Sequence, residues 1–129
     1  MPADERAVEL VEAAASAAAD KLADRIIAFD VSDQLVITDA FVLCSAHNDR
    51  QVKAIVDAIE ERLRGLDAKP VRREGEREGR WVLMDYDDIV VHVQHEEERE
   101  FYTLERLWRD CPMIPLPESV TSGQRGPAS

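Results

Sequence analysis

Residues 34–44, which read QLVITDAFVLC, constrain the fold of this chain more than any other segment. From Leu35 onward the segment is nearly all apolar or β-branched, at odd and even positions alike. Neighbouring side chains of a strand point to opposite faces of the sheet, so this pattern indicates a strand that is covered on both faces. Such a strand is typical of the centre of an α/β fold, in which helices pack on the sheet.

One helix is predicted before this strand in the sequence and another after it. Residues 4–23 are rich in alanine, the strongest helix former, and contain no helix-breaking residue. Residues 52–63 place large apolar side chains at helical spacing. Residues 45–49 offer N-cap candidates before this second helix, and Gly65 lies where a C-cap belongs.

A third helix and four more strands complete the predicted fold. The helix covers residues 96–108, with one apolar face that is expected to be buried: Phe101, Leu104, Leu107 and Trp108. The strands are predicted at residues 25–29, 70–73, 81–84 and 89–93, the last two as a hairpin. This order favours α/β architecture, with a single compact domain and a mixed sheet of about five strands flanked by helices.

The boundaries of the domain follow from composition. We expect the α/β domain to span residues 1–111. Residues 112–129 contain four prolines and no periodicity, which predicts a disordered C-terminal tail.

The charge of the chain restricts its partners. Its 129 residues include 16 basic and 27 acidic side chains, a net charge of −11. Such a surface repels nucleic acids and anionic membranes and attracts basic proteins. The two cysteines, Cys44 and Cys111, are interpreted as reduced packing residues. No signal peptide or membrane-spanning stretch is recognised, so a cytoplasmic protein is expected.

Metal binding is not expected from the three histidines. His92 and His95 are three residues apart, which on a strand sends them to opposite sheet faces. We interpret them as one half-buried strand histidine and one exposed histidine.

Asp85 and Asp87 form the one pattern that suggests catalysis. Nucleotidyl-transferring enzymes use such a D-x-D pair to hold two Mg²⁺ ions. Here the pair falls in the predicted hairpin turn, where Asp is favoured for hydrogen bonds to the local backbone. No glycine-rich phosphate loop precedes it, since residues 45–48 lack glycine. We predict no enzyme activity, no metal and no cofactor, with a Mg²⁺-dependent nucleotidyltransferase as the alternative.

Aromatic residues are concentrated in one short stretch: Trp81, Tyr86, Phe101, Tyr102 and Trp108. Trp and Tyr are the residue types that most often anchor protein interfaces. Tyr102 points about 100° away from Phe101 on the predicted helix, so it is expected to face a partner. The sequence therefore predicts a domain that acts by docking onto another protein.

Three segments resemble the ribosomal silencing factor family, RsfS, also called Iojap-like. They are ITDAFVLCSAHNDRQVKAI at residues 37–55, RWVLMDYDDIVVHV at 80–93 and REFYTLERLW at 99–108. The resemblance covers about residues 4–110 in the same order. It implies a nucleotidyltransferase-like fold without transferase activity. It further implies that the protein binds a ribosomal protein on the joining face of the large ribosomal subunit, blocks subunit association and represses translation when nutrients are limiting.

The resemblance also implies a docking surface. The family's Trp at the start of the hairpin matches Trp81, and its Tyr in the last helix matches Tyr102. With these two we predict four further docking residues: Leu83, Asp85, Tyr86 and Glu105. An exposed aromatic patch could also pair with itself, which predicts a homodimer that opens when the partner arrives. A protein-binding adaptor unrelated to ribosomes is a further alternative.

Three positions depart from the family pattern. Many members have a bulkier residue where this chain has Ala40, and glycines where it has Ala46 and Asp87. Asp tolerates positive φ better than most residues, so we expect the turn at Asp87 to be kept.

Overall fold

The computed structural model describes residues 3–121, which form one mixed five-stranded sheet with helices packed on it. The helices are α1 (Glu5–Asp20), α2 (Asp49–Arg64), α3 (Glu96–Tyr102), a 3-10 helix (Leu104–Trp108) and α4 (Glu118–Thr121). The strands are β1 (Asp24–Asp30), β2 (Ala40–Ala46), β3 (Arg72–Glu74), β4 (Trp81–Asp85) and β5 (Ile89–His95). Their order is β1-β2-β5-β4-β3, with β2 and β5 parallel and the other neighbours antiparallel. The predicted α/β class and strand number are confirmed.

One face of the sheet is covered by α1 and α2, and we call it the helix face. The alanines of α1 allow it to approach the sheet closely, and seven of its residues are buried. α2 buries the predicted apolar stripe: Val52, Ile55, Val56, Ile59 and Leu63. Its N-cap is Asn48, whose side chain accepts a hydrogen bond from the Gln51 N–H at 2.8 Å. None of the described helices is long and apolar enough to cross a membrane.

The opposite face carries a smaller cluster and we call it the open face. Its buried members are Phe29, Val31, Phe41, Leu43 and Val90. Leu104, Trp108 and Cys111 pack on this cluster from the chain that follows α3, together with Leu35. This covering reaches only part of the sheet.

Residues 35–39 differ from the prediction because they lie outside β2. The Gln34 and Leu35 N–H groups both donate to the Val31 carbonyl at 2.9 Å, which turns the chain. The Val31 N–H donates to the Asp39 carbonyl at 2.9 Å and closes a loop there. The apolar Val36 and Ile37 are consequently exposed at the rim of the open face.

The predicted helix over residues 96–108 is interrupted. Thr103 adopts a left-handed backbone conformation with φ 41°, so α3 ends there and a 3-10 helix follows in a new direction. The expected burial of Phe101 and Leu107 is wrong, since they are 81% and 73% exposed.

The predicted disordered tail also differs from the structure over residues 112–121. The Asp30 N–H donates to the Pro112 carbonyl at 2.8 Å, and the Ile114 N–H donates to the Ala28 carbonyl at 2.9 Å. This segment thus lies along the outer edge of β1, where a missing proline N–H does no harm. Ile114 and the α4 residue Val120 are buried in the core of the helix face. Residues 122–129 lie outside the described residues.

Candidate protein-docking surface

A groove of about 520 Å³ crosses the part of the open face that residues 3–121 leave uncovered. Its floor includes Phe41, Val90 and His92, and its walls come from the loop before β2, the 3-10 helix and β4. The lining is mainly apolar, with four polar residues: Thr38, Arg72, Asp85 and His92. Apolar grooves with a few polar groups are typical binding surfaces.

An aromatic row lies beside the groove and consists of Trp81, Tyr102 and Phe101. The ring centroids of Trp81 and Tyr102 are 5.0 Å apart, and those of Tyr102 and Phe101 are 4.9 Å apart. Tyr102 is 51% exposed because it is the last residue of α3, where the chain turns away at Thr103. The row therefore presents large rings to any protein that docks on the open face.

His92 fixes the orientation of Trp81. The Trp81 indole Nε1–H donates to the Nδ1 atom of His92 at 3.1 Å. Burial lowers the pKa of His92 to about 4, so near neutral pH the ring is uncharged and Nδ1 can accept this bond. The sequence interpretation missed this role. The signal was present, because Trp81 and His92 lie on neighbouring strands of the hairpin with side chains on one face.

Four predicted docking residues lie on this surface. Leu83 and Asp85 line the groove, Trp81 shares their face of β4, and Tyr102 lies against Trp81. The strand alternation that puts these β4 residues on the open face sends Tyr86 to the opposite side.

Tyr86 requires a correction, and Glu105 has a partner within the chain. Tyr86 is 5% exposed within the core of the helix face, so its predicted exposure to a partner is wrong. Burial raises its pKa to about 12. Glu105 is partly exposed, but its carboxylate accepts hydrogen bonds from Arg99 Nε at 3.1 and 3.2 Å. Its negative charge thus forms an ion pair with Arg99 of the same chain.

Asp85 and Asp87 support a turn. The Asp85 Oδ1 atom accepts a hydrogen bond from the Asp87 N–H at 2.9 Å, and its Oδ2 atom lies 3.4 Å from Arg72 Nε. Asp87 has φ 68°, as the turn requires. His95 is buried rather than exposed as predicted, and its Nδ1 atom accepts a hydrogen bond from the Glu97 N–H and caps α3. Residues 3–121 contain no group of three or more His, Cys, Asp or Glu side chains that could hold a metal ion.

Comparison with known proteins identifies the family. The sequence model described as "Ribosomal silencing factor during starvation", RsfS, matches residues 4–129. The chain belongs to the RsfS family. The Bacillus subtilis protein named ribosomal silencing factor RsfS is 39% identical over 107 residues, which cover 83% of this chain and 91% of the relative.

Two crystal structures have the same fold as this RsfS-family chain. A protein from Chromobacterium violaceum superposes with a TM-score of 0.76 and 32% identity, over 78% of this chain and 84% of the other. A protein from Bacillus halodurans gives a TM-score of 0.74 and 35% identity, over 84% and 98% of the two chains. The resemblance found from the sequence is thus confirmed, and the family's name indicates a factor that silences ribosomes.

The departures from the RsfS pattern now have structural positions. Ala40 and Ala46, at the two ends of β2, are both fully buried in the core of the helix face. Asp87 keeps the hairpin turn at positive φ, as expected for an Asp in place of glycine.

Proposed function

We propose that this RsfS-family protein docks in the cytoplasm onto a basic ribosomal protein at the joining face of the large ribosomal subunit. It thereby blocks association with the small subunit and represses translation when nutrients are limiting. One observation carries the proposal: the aromatic row and the apolar groove adjoin on a sheet face that no long helix within residues 3–121 covers. The net charge of −11 complements a basic partner.

The proposed mechanism is steric. The rings of Trp81 and Tyr102 contact each other, and His92 holds the indole by a hydrogen bond. A surface that is ordered before binding loses less conformational entropy when it binds, which favours tight docking. The domain, held at the interface, then occupies space that the small subunit needs, without any chemical reaction.

Retention of the protein by purified large subunits tests the proposal. We expect Trp81→Ala to weaken binding by about 2 kcal/mol or more, which is roughly thirtyfold. Met113→Ala removes another exposed apolar side chain, on the outer edge of β1, and is the matched control. The proposal fails if large subunits do not retain the wild-type protein in dilute salt, or if Trp81→Ala binds as well as the control.

The same exposed surface favours a homodimer in the absence of the partner. Val36, Ile37 and Phe101 expose apolar area around the groove and the aromatic row, and such area tends to be covered. Sedimentation velocity should show a dimer that dissociates when large subunits are added.

A pull-down from cell extract separates the proposed function from its alternatives. If it recovers other proteins but no large subunits, an adaptor unrelated to ribosomes is favoured. Calorimetry with ATP and Mg²⁺ tests the transferase alternative, for which heat of binding is required.

A further inference from the structure

We infer that the ion pair between buried Arg99 and partly exposed Glu105 is the positioning device that holds Tyr102 and Phe101 in the docking surface. The inference rests on the proposed function and adds to it, because it assigns Glu105 a role inside the chain. Neither Arg99 nor Glu105 is required to touch the partner.

Arg99 makes polar contacts with two separate parts of the chain. It is 1% exposed, although it lies on the short helix α3. Its Nη1 donates to the Ser45 hydroxyl of β2 at 3.0 Å, and its Nε donates to both carboxylate oxygens of Glu105. A guanidinium stays protonated in proteins, so this side chain is a buried positive charge that requires its partner.

The two members of the pair bracket the break in the helix. Thr103, with its left-handed backbone, lies between Arg99 and Glu105, and so do Phe101 and Tyr102. The Thr103 N–H donates to the Arg99 carbonyl at 3.1 Å. The side-chain pair therefore closes a short loop around the residue at which the chain changes direction.

The sequence itself favours a different conformation. Its apolar spacing over residues 96–108 predicts one continuous helix, whereas the structure has a strained left-handed Thr at position 103. The tie between Arg99 and Glu105 selects the interrupted form. In that form the ring of Tyr102 lies 5.0 Å from the ring of Trp81.

Arg25 at the start of β1 lies beside the same carboxylate. Its guanidinium lies 3.7 Å from the Glu105 carboxylate and 4.0 Å from that of Glu100. Glu105 thus joins α3, β1 and the 3-10 helix. Burial lowers the pKa of Arg99, and the charge of Glu105 opposes that shift.

The double variant Arg99→Met/Glu105→Gln tests the inference. Removing both charges leaves no unpaired buried ion, so the fold is expected to survive with a urea midpoint near that of the wild type. Arg109→Met/Asp110→Asn is the control, since it also removes one positive and one negative charge, but at exposed positions. The measurements are retention by large subunits, NOEs between the rings of Trp81 and Tyr102, and exchange of the Thr103 amide proton.

We expect the double variant to lose the NOEs, to exchange the Thr103 amide at least tenfold faster and to bind large subunits at least tenfold more weakly. The control should match the wild type in all three. Arg99→Lys keeps a charge at this site and should fall between them, which provides a second test if the double variant does not fold. Unchanged NOEs and exchange would overturn the inference. If wild-type protein itself fails to bind, the proposed function is wrong, while the NOEs and exchange still decide the role of the pair.

Discussion

The two faces of the sheet are built for different purposes. The helix face carries two four-turn helices and a continuous apolar core that includes every buried residue of α1 and α2. The open face has a smaller cluster, which is covered by the segment that follows α3. A groove and the aromatic row remain exposed on this face. The difference suggests that folding energy and binding energy are largely carried by separate residues.

The largest expected effect is on the helix face. Ile55→Ala removes a fully buried side chain of α2 and leaves a cavity, so we expect a loss of about 2–5 kcal/mol in the free energy of unfolding. Urea denaturation measures this loss. The fraction that remains folded should still bind large subunits with wild-type affinity. Weaker binding by the folded fraction would break the division between the two faces.

The next effect concerns His92, the buried titratable histidine of the open face. Its folded pKa of about 4 lies below the ordinary 6.5, so the unfolded chain takes up the proton first as the pH falls. Stability should therefore be full above pH 6.5 and decline by on the order of 3 kcal/mol as the pH approaches 4. His92→Gln keeps an acceptor for Trp81 but cannot titrate. Its urea midpoint should fall less over this range than that of the wild type.

A smaller effect is expected at the exposed end of the aromatic row. Phe101→Ala changes a side chain that is 81% exposed, so stability should stay within about 0.5 kcal/mol of the wild type. Binding to large subunits should weaken by about 1 kcal/mol, since an exposed ring can be buried by the partner. A loss of stability without a loss of binding would assign Phe101 to the core after all.

The smallest effect is expected at the hairpin turn, which belongs to neither face. Asp87→Gly should raise the free energy of unfolding by about 0.5 kcal/mol, because glycine adopts positive φ without steric strain. Asp88 does not have positive φ, so Asp88→Gly should lower stability and serves as the control. Equal shifts for both variants would contradict this explanation.

Regular periodicity made most of the fold predictable from the sequence. The stripe of α2, the alanines of α1 and the apolar run of β5 each indicated the observed element. The site was harder to predict because it depends on a single backbone angle. α3 buries Arg99 and leaves Phe101 81% exposed, and the chain then changes direction at Thr103, whose left-handed backbone the apolar spacing does not reveal.

Long-range pairing explains the other differences. Residues 35–39 have strand-like composition, but the pairing of β1 with β2 ends at Ala40 and leaves them in a loop. Tyr86 followed the alternation of β4 to the helix face, which a list of aromatic residues does not reveal. The pairing of Glu105 with Arg99 was missed because a buried arginine could not be recognised from a charged stretch of sequence.

The segment at residues 112–114 has a consequence for any shortened form of the protein. It occupies the hydrogen-bonding groups along the rim of β1, a seven-residue strand that would otherwise be an unprotected sheet edge. A chain cut after residue 111, at the predicted domain boundary, would leave those groups free to pair with strands of other molecules. Such a fragment, which also lacks α4, is expected to aggregate even though it keeps α1, α2 and the central strands.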